Sequence, residues 1–204
     1  MKSNDFDRLA FVYDRLVRLV FGRSLTNAQK YFLNKAAEPS NILILGGGTG
    51  WILTELFKIK DNVSVCYIDA SGKMIATAKT KIKNDRRVQF IHGTENNIPA
   101  DRHYDLIVTN FYLDLFTNES IKVVLGKIRN SLTPKAQWIA TDFTDNKWWQ
   151  KLMLRIMYFF FRLTCNIESK KLTDWQKELH AIDAKRIESK KFYNGFIATS
   201  LFQF

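Results

Sequence analysis

The sequence predicts an α/β fold: a mostly parallel sheet with helices on both faces, preceded by an N-terminal helical arm and closed by an antiparallel hairpin. Three observations carry this. Ile42 to Leu45 run straight into Gly46, Gly47, Gly48, Thr49 and Gly50, after which Ile52, Leu53, Leu56 and Ile59 recur three or four residues apart. A short apolar run between turn residues reads as a strand covered on both faces, and the change of period marks a helix. Similar runs at Val63–Ile68, Val88–Ile91, Tyr104–Thr109 and Gln137–Thr141 are separated by helical patterns, the alternation that builds parallel sheets. Asn194-Gly195 stands between two β-rich runs, Lys185–Phe192 and Phe196–Phe204, a strong short-range hairpin signal.

The arm comes first. Leu9, Val12, Tyr13, Leu16, Leu19 and Val20 form an apolar stripe with Arg8, Arg15 and Arg18 outside it, and Gly22 is placed to end that helix. Thr26 is the expected cap of a second helix through Ala28, Tyr31, Phe32 and Leu33, and Pro39 closes the arm. The first strand then enters the glycine turn, where the backbone can come close to a ligand and the next helix offers free N–H groups. The dinucleotide fingerprint G-x-G-x-x-G fails in either frame, at Trp51 or at Leu53, and leaves G-x-G-x-G over Gly46, Gly48 and Gly50.

The second strand ends at Asp69, 19 residues after Gly50, close to the spacing of about 20 between a glycine turn and a ribose-binding acid. Ser71 is placed to cap the following helix. The third strand leads into His92-Gly93-Thr94-Glu95, and the fourth into Asn110-Phe111-Tyr112-Leu113-Asp114. Parallel sheets bind ligands beyond the carboxyl ends of their strands, so these residues stand nearest the chemistry. A helix over Ile121–Ser131 ends near Leu132-Thr133-Pro134, and the fifth strand ends at Asp142-Phe143.

Residues 147–167 alternate aromatic and aliphatic residues with Arg155 and Arg162, too charged to span a bilayer. Two placements fit: a helix buried against the sheet, or an amphipathic helix over the site's mouth that makes a peripheral membrane contact. Leu172, Trp175 and Leu179 mark the last helix before the hairpin.

These motifs together resemble class I S-adenosylmethionine-dependent methyltransferases, from about Asn41 to the C-terminus. The resemblance implies a Rossmann-like, seven-stranded sheet and one domain over residues 1–204, with 1–40 as the arm and 41–204 as the cofactor-binding core. It implies S-adenosyl-L-methionine as cofactor, bound by Gly46, Gly47, Gly48, Thr49, Gly50, Asp69, Ala70, Ser71, Met74, Thr94, Glu95, Asn110 and Phe111. Asp69 would take the ribose hydroxyls, Met74 would pack on the adenine, and Thr94 or Glu95 would read its edge. Tyr112, Asp114 and Asp142 are the candidate catalytic groups for taking the acceptor's proton. The phrase Phe6-Asp7-Arg8-Leu9 onwards is similar to the N-termini of quinone- and lipid-modifying members, which favours a small or lipophilic acceptor and puts Tyr13 and Asp14 near the cofactor. One departure stands out: the family carries an acid two residues before its first glycine, where this chain has Ile44. That departure keeps a non-catalytic S-adenosylmethionine-binding protein as an alternative.

Bulk properties narrow the partners. The 204 residues suit one α/β domain, and 46% hydrophobic content excludes disorder. A formal charge of +11 attracts anions such as nucleic acid, acidic headgroups or acidic substrates. A nucleic-acid methyltransferase is therefore a further alternative, although no Asn-Pro-Pro-Tyr-type motif follows the fourth strand. Cys66 and Cys165, with His92, His103 and His180 far apart, predict no metal site. Charges at Lys2, Asp5, Asp7 and Arg8 interrupt any signal-peptide core, which predicts a cytoplasmic protein.

Overall fold

The computed structural model describes residues 21–38, 41–165 and 172–204. The stripe from Leu9 to Val20, with Tyr13 and Asp14, lies outside the described residues. Seven strands form one sheet: β1 Asn41–Leu45, β2 Ser64–Asp69, β3 Val88–His92, β4 Tyr104–Asn110, β5 Leu132–Phe143, β6 Lys185–Phe192 and β7 Ile197–Gln203. Their order is β3-β2-β1-β4-β5-β7-β6. The first five run parallel, while β7 is antiparallel to both β5 and β6.

Both faces of the sheet are covered, which is why β1 needs no polar alternation. Leu43 and Leu45 face a cluster with Ile107, Trp138, Ile121, Leu125 and Trp175. Ile42 and Ile44 face the other, with Tyr67, Val108, Leu53 and Phe32. The covering helices are α1 Ser24–Lys30, α2 Trp51–Leu56, α3 Gly72–Lys81, α4 Asn118–Arg129, α5 Trp148–Cys165 and α6 Trp175–His180. The outer strand β6 is mostly exposed and carries Lys185, Arg186, Lys190 and Lys191, charges that discourage edge-to-edge pairing.

Several boundaries differ from the expectation, each for a local reason. Helix α1 starts at Ser24, and Thr26 donates to the Arg23 carbonyl (3.0 Å) instead of capping. Helix α2 stops at Leu56, so Ile59 lies beyond it and is exposed. Helix α4 begins at Asn118 because Thr117 and Ser120 form a capping box. Strand β5 begins at Leu132 rather than Gln137, with Lys135 in the left-handed region (φ 65°) beside an irregularity in the β4 pairing. The hairpin forms as expected, and in its connection Tyr193, Asn194 and Gly195 all take positive φ (49°, 52° and 84°). The Tyr193 ring packs edge-on against Phe21, with ring centroids 5.3 Å apart.

Candidate functional site

The sheet order reverses between β1 and β4, and ligands of open α/β sheets bind at such a switch point. A cavity of about 1220 Å³ opens there. Its β1 side is built by the glycine turn. A Cβ on Gly47 would stand 2.2 Å from the Tyr67 ring, whose hydroxyl donates to the Gly48 carbonyl at 2.8 Å. Tyr67 thus props the turn from beneath. Gly50 takes φ 77° as the residue before α2, and a Cβ there would meet the Ala78 backbone at 2.8 Å. Gly47→Ala must push the turn off Tyr67, with a destabilisation of about 1–3 kcal/mol. A fall in the urea midpoint together with weaker ligand binding is the expected readout.

Asp69 ties this turn to the next one. Its Oδ2 accepts from the Gly48 N–H and its Oδ1 from the Ser71 N–H, both at 2.8 Å. Gly46 to Thr49, Asp69, Ala70, Met74, Thr94, Glu95, Asn110, Phe111, Tyr112 and Asp114 all line the cavity. Gly50, Ser71 and Asp142 are not on its wall. Ser71 is fully buried and accepts from the Met74 N–H (3.1 Å), so it shapes the site by capping α3. Thr94 caps the turn Glu95–Asn97, and the Glu95 carboxylate accepts from the Tyr112 hydroxyl at 2.9 Å. Burial and Glu95 push the Tyr112 phenol well above its usual value. The phenol thus stays protonated and donates to Glu95.

Asp142 lies behind the loop that follows β4. Its Oδ2 accepts from the Leu113 and Asp114 N–H groups, each at 3.1 Å, and its Oδ1 from the Phe143 N–H at 2.9 Å. This buried carboxylate pins the loop after β4 to the end of β5. Asp114 stands beside it, buried, with no partner for Oδ1 among the described residues. Burial raises the Asp114 carboxyl from 3.8 to about 7. Burial and the neighbouring Asp114 raise Asp142 too. Burial and proximity disfavour a second negative charge here, so the two carboxyls titrate as a coupled pair.

The sign of the pH effect follows. With a folded pKa raised from 3.8 to about 7, Asp114 contributes stability below pH 4 that is lost progressively up to pH 7. Asp114→Asn is expected to remove that slope. Its unfolding free energy in urea then exceeds the wild type's by a margin that grows from pH 4, levels off above pH 7, and reaches about 4 kcal/mol. Equal slopes in the two proteins would contradict the buried pair.

The β4–β5 side of the cavity is apolar. Leu25 of α1, Phe111, Leu115, Phe116, Phe143 and Tyr158 of α5 line it. Sequence patterning pointed to few of these, because Leu25 and Tyr158 reach the cavity only through tertiary packing. Among the described residues no group of acids, cysteines and histidines is placed to hold a metal.

Comparison with known proteins agrees with this geometry. Residues 42–135 match a family model described as a methyltransferase domain. The carboxy-S-adenosyl-L-methionine synthase of Nautilia profundicola is 30% identical over 166 residues, 77% of this chain and 70% of that protein. A malonyl-[acyl-carrier protein] O-methyltransferase of Halalkalibacterium halodurans is 26% identical over 117 residues. That match takes in 55% of this chain, which spans only 42% of the relative's length. The fold is shared with the Burkholderia thailandensis 1,6-didemethyltoxoflavin-N1-methyltransferase, solved with 1,6-didemethyltoxoflavin and S-adenosylhomocysteine (TM-score 0.72, 14% identity, 98% of this chain and 86% of that one).

Proposed function

The chain belongs to the class I S-adenosylmethionine-dependent methyltransferase family, and on that premise we propose that it methylates a small, lipophilic acceptor. The carrying observation is the division of one cavity into a glycine-and-acid side over β1–β3 and an aromatic side over β4–β5. We read residues 41–204 as the cofactor-binding core and residues 1–40 as an arm; Arg23 and Leu25 of the arm line the cavity.

The residues present fit the cofactor. Ile44, at the family's acidic position, is buried between Tyr67 and Val108 and offers no charge. The β1–β4 register pairs Leu45 with Thr109, which sets Asn110 beside Gly46. The Asn110 Oδ1 is buried and has no partner among the described residues. A buried acceptor without a donor is costly, and the amino group of S-adenosylmethionine would satisfy it. Asn110 thereby stands in for the missing acid. Asp69 holds the ribose hydroxyls and Met74 gives the adenine an apolar face. When bound, the cofactor supplies an electrophilic sulfonium methyl. Phe111, Phe143 and Tyr158 seat the acceptor, and Asp114 takes its proton at a carboxyl whose pKa lies near 7.

Calorimetric titration with S-adenosylmethionine and S-adenosylhomocysteine, with NAD as control, tests the cofactor. A screen of quinol-like phenols and lipids, read as S-adenosylhomocysteine formed, tests the acceptor. Binding without turnover would favour the non-catalytic alternative, and strongly salt-dependent DNA or RNA binding the nucleic-acid one. A second reading, that the chain makes a carboxylated cofactor as its Nautilia profundicola relative is named for, is favoured by Arg23 on the cavity wall, a cation suited to a carboxylate-bearing co-substrate. Mass spectrometry of the recovered cofactor separates the two: a demethylated product supports methyl transfer, a heavier one supports carboxylation.

A further inference from the structure

Helix α5 presents two unlike faces. Gln150, Leu154 and Tyr158 are buried, Leu154 and Tyr158 in a cluster with Phe21, Leu25 and Phe143. The opposite face is bare. Among the described residues seven large apolar side chains are exposed, and four of them share this face: Trp148 (78%), Leu152 (49%), Ile156 (61%) and Phe159 (66%). Their spacing of four, four and three places them within one arc of the helix. Exposed Lys151 and Arg155 lie within or beside that arc, and exposed Lys147 precedes it. No aspartate or glutamate occurs from Asn146 to Ile167.

We propose that this face docks the protein onto an anionic lipid surface, with α5 lying in the plane of the headgroups. Leu152 and Ile156 need an apolar phase, which a nucleic acid does not offer. A tryptophan and a phenylalanine suit the headgroup boundary, and the cations complement acidic lipid. A second copy fits poorly, because two-fold pairing of this face would bring Lys151 and Arg155 against their equivalents with no acid between them. The contact is peripheral: among the described residues no helix is long and apolar enough to cross a membrane. The buried face of α5 packs on the sheet side, and the exposed face is the one proposed to meet the lipid. The proposal does not depend on which acceptor the cavity takes.

The test is co-sedimentation of the full chain with vesicles of phosphatidylcholine, pure or doped with phosphatidylglycerol. Binding to the doped vesicles, weakened by salt, is expected. Trp148→Ser/Phe159→Ser should lower the partition coefficient at least about tenfold, and Lys151→Gln/Arg155→Gln about 25-fold, at about fivefold per cation. Circular dichroism and the cofactor titration should be unchanged in both. Wild-type chain that ignores the doped vesicles, or double variants that bind like it, would overturn the proposal. So would a wild-type dimer that Trp148→Ser dissociates in the absence of lipid. Retained cofactor binding in those cases leaves the enzymatic reading standing, so the two failures are distinguishable.

Discussion

Asp142→Ala is expected to destabilise the protein by about 3–5 kcal/mol, a large part of the stability of an ordinary domain. The carboxylate accepts from three backbone N–H groups, those of Leu113, Asp114 and Phe143, in a place closed to water. Alanine leaves all three without an acceptor, and each buried orphan costs about 1–3 kcal/mol, with incomplete additivity. Relief of the repulsion with Asp114 offsets part of the loss. Asp142→Asn keeps one acceptor oxygen and should fall between the two. Urea unfolding at pH 5 and pH 8 measures this, and a loss under about 1 kcal/mol would show that the loop after β4 does not depend on the carboxylate.

Asp69→Ala should weaken S-adenosylmethionine and S-adenosylhomocysteine by about 100- to 1000-fold. Two hydrogen bonds from ribose hydroxyls to a charged acceptor are worth about 3–4 kcal/mol together, and each 1.4 kcal/mol is tenfold in affinity. The substitution also releases the Gly48 and Ser71 N–H groups that Asp69 holds. Part of the effect therefore comes from loss of the turn's shape. Asp69→Asn separates the contributions, because it can keep an acceptor for one of those N–H groups while losing the charge; about tenfold weaker binding is expected. Calorimetry on folded protein is the measurement. Affinity within threefold of wild type in Asp69→Ala would remove Asp69 from the cofactor site and reopen the assignment of the glycine turn.

Much of the fold was legible because its signals are local. The run of Ile42 to Leu45 into Gly46 marks a strand and a turn whatever surrounds it, and Asn194-Gly195 marks a reversal. The boundaries that differ are those where a neighbour decides. Strand β5 gained Leu132 to Ala136 because Leu132 pairs with Tyr104 across the sheet, a partner with no local trace. The glycine-and-acid side of the cavity was readable in the same way, since its residues follow strand ends at fixed spacings. The aromatic side was not, because Leu25, Phe143 and Tyr158 come from three distant segments that meet only in the folded chain.

Architecture and family were fixed by local features, since strand ends and glycine turns are short-range signals of backbone geometry. Tertiary structure alone decided the roles of individual groups. Asp142 and Asp114 look alike in sequence, yet one is saturated by backbone N–H groups and the other keeps a buried Oδ1 with no partner among the described residues. Tyr112 became a donor once Glu95 met it. The reason is physical: a side chain's proton affinity and reach depend on burial and on partners that the fold, not the neighbouring sequence, brings within hydrogen-bond distance.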